Sequence, residues 1–122
     1  LQPKTDTQSF SFMPLTGGGL KAEPQYKYVG CYADTWQRRA LPNFAGVTTV
    51  KECAKIAQGK NATYFGLQYG NATPGKAGEC WHSVTNEKDY SMHGASDRCG
   101  YFKDSNGEAV AGPYSNAVYQ LF

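Results

Sequence analysis

Four cysteines, Cys31, Cys53, Cys80 and Cys99, stand at wide intervals, and no two of them form the close C-x2-C pair of a metal knuckle. An even number of cysteines placed in separate expected elements is most economically spent on bridges, and bridges persist only in oxidising compartments. The spacing therefore points to an extracellular protein, secreted or associated with the cell surface, that folds around its cross-links. Two Asn-x-Thr acceptors, Asn61-Ala62-Thr63 and Asn71-Ala72-Thr73, agree, because N-glycosylation is an event of the secretory route. Asn61 follows an expected helix stop and Asn71 lies in an expected hairpin loop, so both should be exposed, although Pro74 directly after Thr73 disfavours the second.

A chain of 122 residues is expected to form one domain with a tail. A domain of this size buries only about two-thirds of the surface its unfolded chain exposes, so cross-links matter to its stability. Twelve Lys and Arg against ten Asp and Glu leave a net charge of +2 with the signs interspersed. Arg38-Arg39 and the lysines Lys51 and Lys55 are the only basic groupings, which speaks against a nucleic-acid partner. No uncharged run has the length and apolarity to span a bilayer. The start at Leu1, with neither methionine nor a basic-then-apolar leader, reads as mature, processed protein. Nine Tyr beside 14 Gly suit secreted binding or matrix proteins, because Tyr offers an apolar face with a polar tip at little entropic cost.

Residues 1–25 differ from the rest: Pro3, Pro14 and Pro24 break them up, Gly17-Gly18-Gly19 forms a hinge, and no cysteine anchors them. They read as an extended N-terminal arm, within which Ser9-Phe10-Ser11-Phe12 alternates as a short strand with both rings on one face. Residues 26–122 form the domain. Tyr26, Tyr28 and Tyr32 share a period of two in a first strand ending near Asp34, and a loop through Pro42 and Gly46 follows. Thr49-Val50-Lys51-Glu52 has the form of a capping box and opens a helix from Val50 to Gln58 with Cys53, Ile56 and Ala57 inside and Gly59 as its stop. Tyr64 to Tyr69 and Glu79 to Ser83 read as paired strands. From Asn86 to Pro113 the chain reads as irregular. Asn116 to Leu121 reads as a last strand beside the first, and either its segment Val118 to Leu121, as an edge, or the irregular region 100–113 could accept the arm.

Few residues offer chemistry. Cys80-x-His82 is half of a zinc site at most, and His93 is the only other histidine, so no metal or cofactor is expected. A cysteine with an available partner in an oxidising compartment becomes a bridge rather than a nucleophile. Asp34, Glu52, Asp89, Asp97 and Asp104 stand singly, with Glu52 already spent on capping, and no glycosidase pair is recognisable. The chain is therefore not expected to be an enzyme. Trp36, Tyr69, Trp81 and Tyr90 are the candidate sugar-stacking rings, since a flat ring face matches the C–H face of a pyranose. Trp81, beside a bridged cysteine, has core packing as its competing role, whereas Trp36 should be exposed.

Gly30-Cys31-Tyr32-Ala33-Asp34, Arg39-Ala40-Leu41, Thr49 to Cys53, Tyr64 to Gly70, Glu79-Cys80-Trp81, Cys99-Gly100 and Ala117-Val118-Tyr119 occur in one order. In that order they resemble the WSC domain, a family of secreted or cell-surface modules regarded as carbohydrate binders, over residues 26–121. The resemblance implies an α+β fold, a twisted antiparallel sheet packed on one helix and related to the PAN or apple type. WSC domains usually carry eight cysteines. Here Ala57 and His82 stand where one bridge of the family would lie, so the resemblance implies a reduced, four-cysteine variant with Cys31–Cys99 and Cys53–Cys80 as the surviving pairs.

The expected function is that of a non-enzymatic extracellular glycoprotein acting by binding or assembly. In the leading reading it is a structural subunit that polymerises with itself into a fibril or matrix, with Phe10 and Phe12 of the arm docking on a neighbour. In the alternative it is a lectin-like module for cell-wall or matrix polysaccharide.

Overall fold

A computed structural model describes residues 23–70, 77–83 and 89–122. The arm residues Phe10 and Phe12 and the Asn71 acceptor lie outside the described residues. Strands β1 (Tyr26–Ala33) and β2 (Asn43–Thr48) precede helix α1 (Val50–Gly59), after which come β3 (Tyr64–Gln68), β4 (Gly78–His82), β5 (Phe102–Lys103), β6 (Ala109–Val110) and β7 (Ser115–Leu121). A 3-10 turn at Asp89–Ser91 lies between β4 and β5. Five strands form an antiparallel sheet in the order β1-β7-β3-β4-β2, and β5 pairs with β6. The fold is α+β, as expected, and two disulfides staple it: Cys31–Cys99 ties β1 to the segment before β5, and Cys53–Cys80 ties α1 to β4. These are the pairs that the WSC resemblance implies.

Strand alternation sorts the sheet into two faces. Phe65, Leu67, Cys80, Ala117 and Tyr119 point to one, where Val50, Cys53, Ala54 and Ala57 of α1 complete the main core. Tyr64 and Val118 point to the other, which is covered by Leu41 from the β1–β2 loop and by Tyr32, Trp81 and Tyr90. Every residue of β3 is buried as a result. Gly66 permits the second layer, because a Cβ there would lie 2.9 Å from both Leu41 Cδ1 and Asn116 Oδ1.

The capping box forms in both directions: Glu52 N–H donates to Thr49 Oγ1 at 3.2 Å and Thr49 N–H donates to Glu52 Oε1 at 2.8 Å. The helix stop differs from the expected one. Gly59 is still helical, and Asn61 takes the left-handed position at φ 58°. Ala62 N–H then donates to Ala57 O at 2.9 Å and Asn61 N–H to Gln58 O at 3.1 Å, the two bonds of a Schellman motif. Ala54 is buried and Ile56 only half-buried, a rotation of the expected inner face.

Five further expectations are corrected. An irregularity between Tyr28 and Gly30 adds a residue to β1, so Tyr28 faces Tyr119 while Tyr32 lies on the opposite face with Tyr90. Residues 43–48, expected as loop, form edge strand β2, with Gly46 at φ 105° inside a bulge between Phe44 and Val47. β7 does pair with β1, but it also pairs with β3; Val118 to Leu121 is therefore interior to the sheet and not an accepting edge. Residues 100–113 contain the β5–β6 pair, pinned by buried Asp104, whose Oδ1 accepts from Glu108 N–H at 2.9 Å and whose Oδ2 accepts from Val50 N–H at 2.8 Å. Finally, residues 23–25, placed in the arm, lie against the domain. Pro24 is buried, Glu23 approaches Lys51 and Lys55 at 3.7 and 3.5 Å, and Gln25 O accepts from Phe122 N–H at 3.0 Å.

Candidate aromatic binding surface

Asp34, directly after β1, organises the loop that follows it. Its buried carboxylate accepts from Ala40 N–H at 2.9 Å through Oδ1, and from Gln68 Nε2 at 3.0 Å and Arg39 Nη1 at 3.1 Å through Oδ2. The charge is thus paired and hydrogen-bonded, the condition under which burial is tolerable. The loop so held sets Leu41 on the sheet and fixes Arg39, whose Nη1 also donates to Gln68 Oε1 at 3.0 Å. Gln68 Nε2 donates in turn to Asn116 Oδ1 at 3.1 Å.

Arg39 is the middle of a row. On one side its guanidinium carbon lies 4.5 Å from the Trp81 ring centroid, a cation–π contact. Trp81 is half-buried, its Nε1 donates to Glu79 Oε1 at 3.2 Å, and its ring meets Phe44 with centroids 5.1 Å apart. The β2–β4 register sets Phe44 opposite Trp81 and Val47 opposite Glu79, so Phe44 and Val47 share that face, 56% and 53% exposed.

On the other side of Arg39, Tyr69 meets Tyr114 edge-on at 5.7 Å. Both tyrosines have left-handed backbones, at φ 61° and 54°. That is uncommon for bulky residues, costs of order 1–3 kcal/mol, and is found most often where a side chain must be aimed. Burial first, then a hydrogen bond with the Tyr114 side chain, push the Tyr69 phenol above its ordinary value, while the Arg39 charge pulls it down. Tyr114 also walls an open groove of about 770 Å³, with Asp34, Ser96 and Ser115 inside it and Asp97 and Arg98 on its exposed side. Ser96 Oγ and Ser115 Oγ are 2.7 Å apart.

Of the four rings expected to stack on sugar, Trp81 lies against Arg39, and Tyr69 is near enough for the Arg39 charge to act on its phenol. Trp36, 65% exposed, stands on the Arg39 loop outside the row. Tyr90 is a packing residue, its ring 5.0 Å from that of Tyr32 and 4.7 Å from that of Tyr64. Sequence reasoning missed Phe44, Arg39 and Tyr114 as members. Phe44 fell in an expected loop, Arg39 looked like half of a surface charge pair, and nothing in a sequence announces a tyrosine with positive φ.

The remaining candidates have other partners. Cys80 is bridged, His82 is buried with Nδ1 3.1 Å from Ser83 O, and His93 Nε2 lies 2.7 Å from Arg38 O. Among the described residues no three or more His, Cys, Asp or Glu gather as a metal site. Asp34 accepts from three donors and Glu52 is held in the capping box. Asn61 is exposed and lines a shallow groove of about 270 Å³ with Thr63 and Phe122. Among the described residues no helix is long and apolar enough to cross a membrane. In comparisons with known proteins, no family model matches the chain and no curated protein matches it.

Proposed function

We propose that this chain is a non-enzymatic extracellular module, a reduced WSC-like domain, that binds cell-wall or matrix polysaccharide along the row Phe44–Trp81–Arg39–Tyr69–Tyr114 and the adjoining groove. The observation that carries the reading is the pair of tyrosines held in left-handed backbone beside an anchored arginine. Ring faces suit the C–H faces of pyranoses, and Arg39, Glu79 and Asp97 offer polar groups to the hydroxyls around them. A row of several rings suits a chain of sugar units better than a single one. Two disulfides support an oxidising compartment. The WSC-like reading draws support from the two bridges, which pair the cysteines as the resemblance implies.

Co-sedimentation with insoluble β-glucan, chitin and mannan, followed by titration of soluble oligomers of whichever is retained, tests the proposal. Tyr114 is exposed, so Tyr114→Ala should keep the fold and weaken binding about tenfold, whereas Trp36→Ala should leave it unchanged. Failure to bind any polysaccharide, or full binding by Tyr114→Ala, overturns it. The assembly reading has its own supporting observation, an uncharged open edge on the sheet.

A further inference from the structure

We propose that β2 accepts a strand donated by residues 9–12 of a second copy of this chain. The inference does not depend on glycan binding. In the sheet order β1-β7-β3-β4-β2, only β1 and β2 are edges. The outer side of β1 is already in use over its second half: Ala33 N–H donates to Gly94 O at 2.9 Å, Ser96 N–H donates to Cys31 O at 3.0 Å, and Tyr32 bridges to Ala95. β2 has no strand on its outer side among the described residues.

The sequence of β2, Asn-Phe-Ala-Gly-Val-Thr, carries no charge. Edge strands normally carry a lysine, an inward charge, a proline or a bulge to discourage pairing; here Pro42 only precedes the strand, and the bulge at Gly46 interrupts it while leaving Asn43–Phe44 and Val47–Thr48 as open stretches. Phe44 and Val47, more than half exposed, add an apolar face beside Trp81. Such an edge is a template for strand addition.

The donor fits it in kind. Ser9-Phe10-Ser11-Phe12 is uncharged as well, and its period of two sets both rings on one side. Added to β2 with that side toward Phe44 and Val47, it continues the row that Trp81 begins.

The place where the described chain starts favours a neighbour as the acceptor. Glu23 is held at Lys51 and Lys55 on the outer surface of α1, behind the sheet, whereas Phe44 and Val47 lie on the front. Glu23 and the ring face of β2 thus lie on opposite sides of the sheet, a crossing that a neighbouring acceptor does not impose. The ten residues 13–22 span up to about 35 Å when extended, about the width of a compact domain of about 100 residues, whose radius of gyration is about 13 Å. A donor and an acceptor on different surfaces make a heterologous contact, which repeats into an open chain of subunits unless a rotation closes it.

The test uses the full chain and two variants, Phe10→Ser/Phe12→Ser without a donor and Val47→Lys without an acceptor, with Phe44→Ser as a second acceptor variant. Circular dichroism and thiol labelling establish that each is folded and bridged, and light scattering with sedimentation gives mass across a hundredfold concentration range. The intact chain should grow in mass with concentration while each variant stays monomeric. An equimolar mixture of the donor-less and acceptor-less variants should stop at a 1:1 dimer, since only one productive contact remains. An intact chain that stays monomeric at every concentration overturns the proposal and leaves the arm on its own domain. So does undiminished assembly of both acceptor variants, or a mixture that forms no dimer.

Discussion

Two aspartates do more for this fold than their isolation in the sequence suggests. Asp34 and Asp104 are both buried, and each converts a loop into a fixed object: Asp34 accepts from the Ala40 N–H and the Arg39 and Gln68 side chains, Asp104 from the N–H groups of Asn106 and Glu108. Asp104 additionally binds the first N–H of α1, which joins the β5–β6 pair to the positive end of the helix. As residues they were visible; their partners, at separations of 34 and 54 in sequence, were not. Removing the carboxylate of Asp34 strands the Arg39 charge, the Gln68 amide and the Ala40 N–H together. Asp34→Ala should therefore cost about 3–5 kcal/mol of unfolding free energy, read from urea titration. A loss below about 1 kcal/mol would match an exposed ion pair and contradict the burial described.

Elements with uninterrupted patterns were legible in the sequence: α1 from its capping box, β3 from the alternation of Phe65 and Leu67 with Tyr64 and Gln68, β4 as its partner across the intervening loop, β7 from its closing alternation. β2 was not, because Pro42 and Gly46 look like loop punctuation and the bulge breaks the alternation between Phe44 and Val47. The end of α1 was misplaced for a related reason. Gly59 has the preferred residue type for a stop, but Asn61 occupies the left-handed position, a conformation asparagine tolerates better than most residues. This makes Asn61 a cap and a glycan acceptor at once, and substitutions can separate the two roles. Asn61→Gly should abolish modification while changing stability by only a few tenths of a kcal/mol, whereas Asn61→Val should also destabilise by about 1–2 kcal/mol, because a β-branched residue strains at φ 58°. Intact mass after eukaryotic secretion and thermal melting read the two effects. A wild-type mass of 13.3 kDa in such material would show that the acceptor goes unused.

At the scale of the molecule, stability should depend on pH through tyrosines at the β1–β7 junction. Burial, then the hydrogen bond to Glu108, push the Tyr26 phenol far above its ordinary 10.0; burial, then the Glu108 charge, raise that of Tyr119. A phenol raised in this way keeps its proton longer folded than unfolded. Its contribution is complete below about pH 10 and is lost as the pH climbs through the folded value. Urea midpoints should hold level from about pH 7 to 9 and fall above about pH 10, and Tyr119→Phe should flatten that fall. A midpoint unchanged at about pH 11 would contradict it. The sheet order itself escaped the sequence reading, which placed β7 beside β1 but left it at an edge, since strand patterns give faces and not neighbours. The interior position of β7 has a temporal meaning. During synthesis β1 is made early and β7 some ninety residues later, and β1 has no strand to join until β7 emerges. Until then β1 and the rest of the sheet are two fragments, and a chaperone or a second nascent chain that meets either one finds an open half of the same unfinished seam.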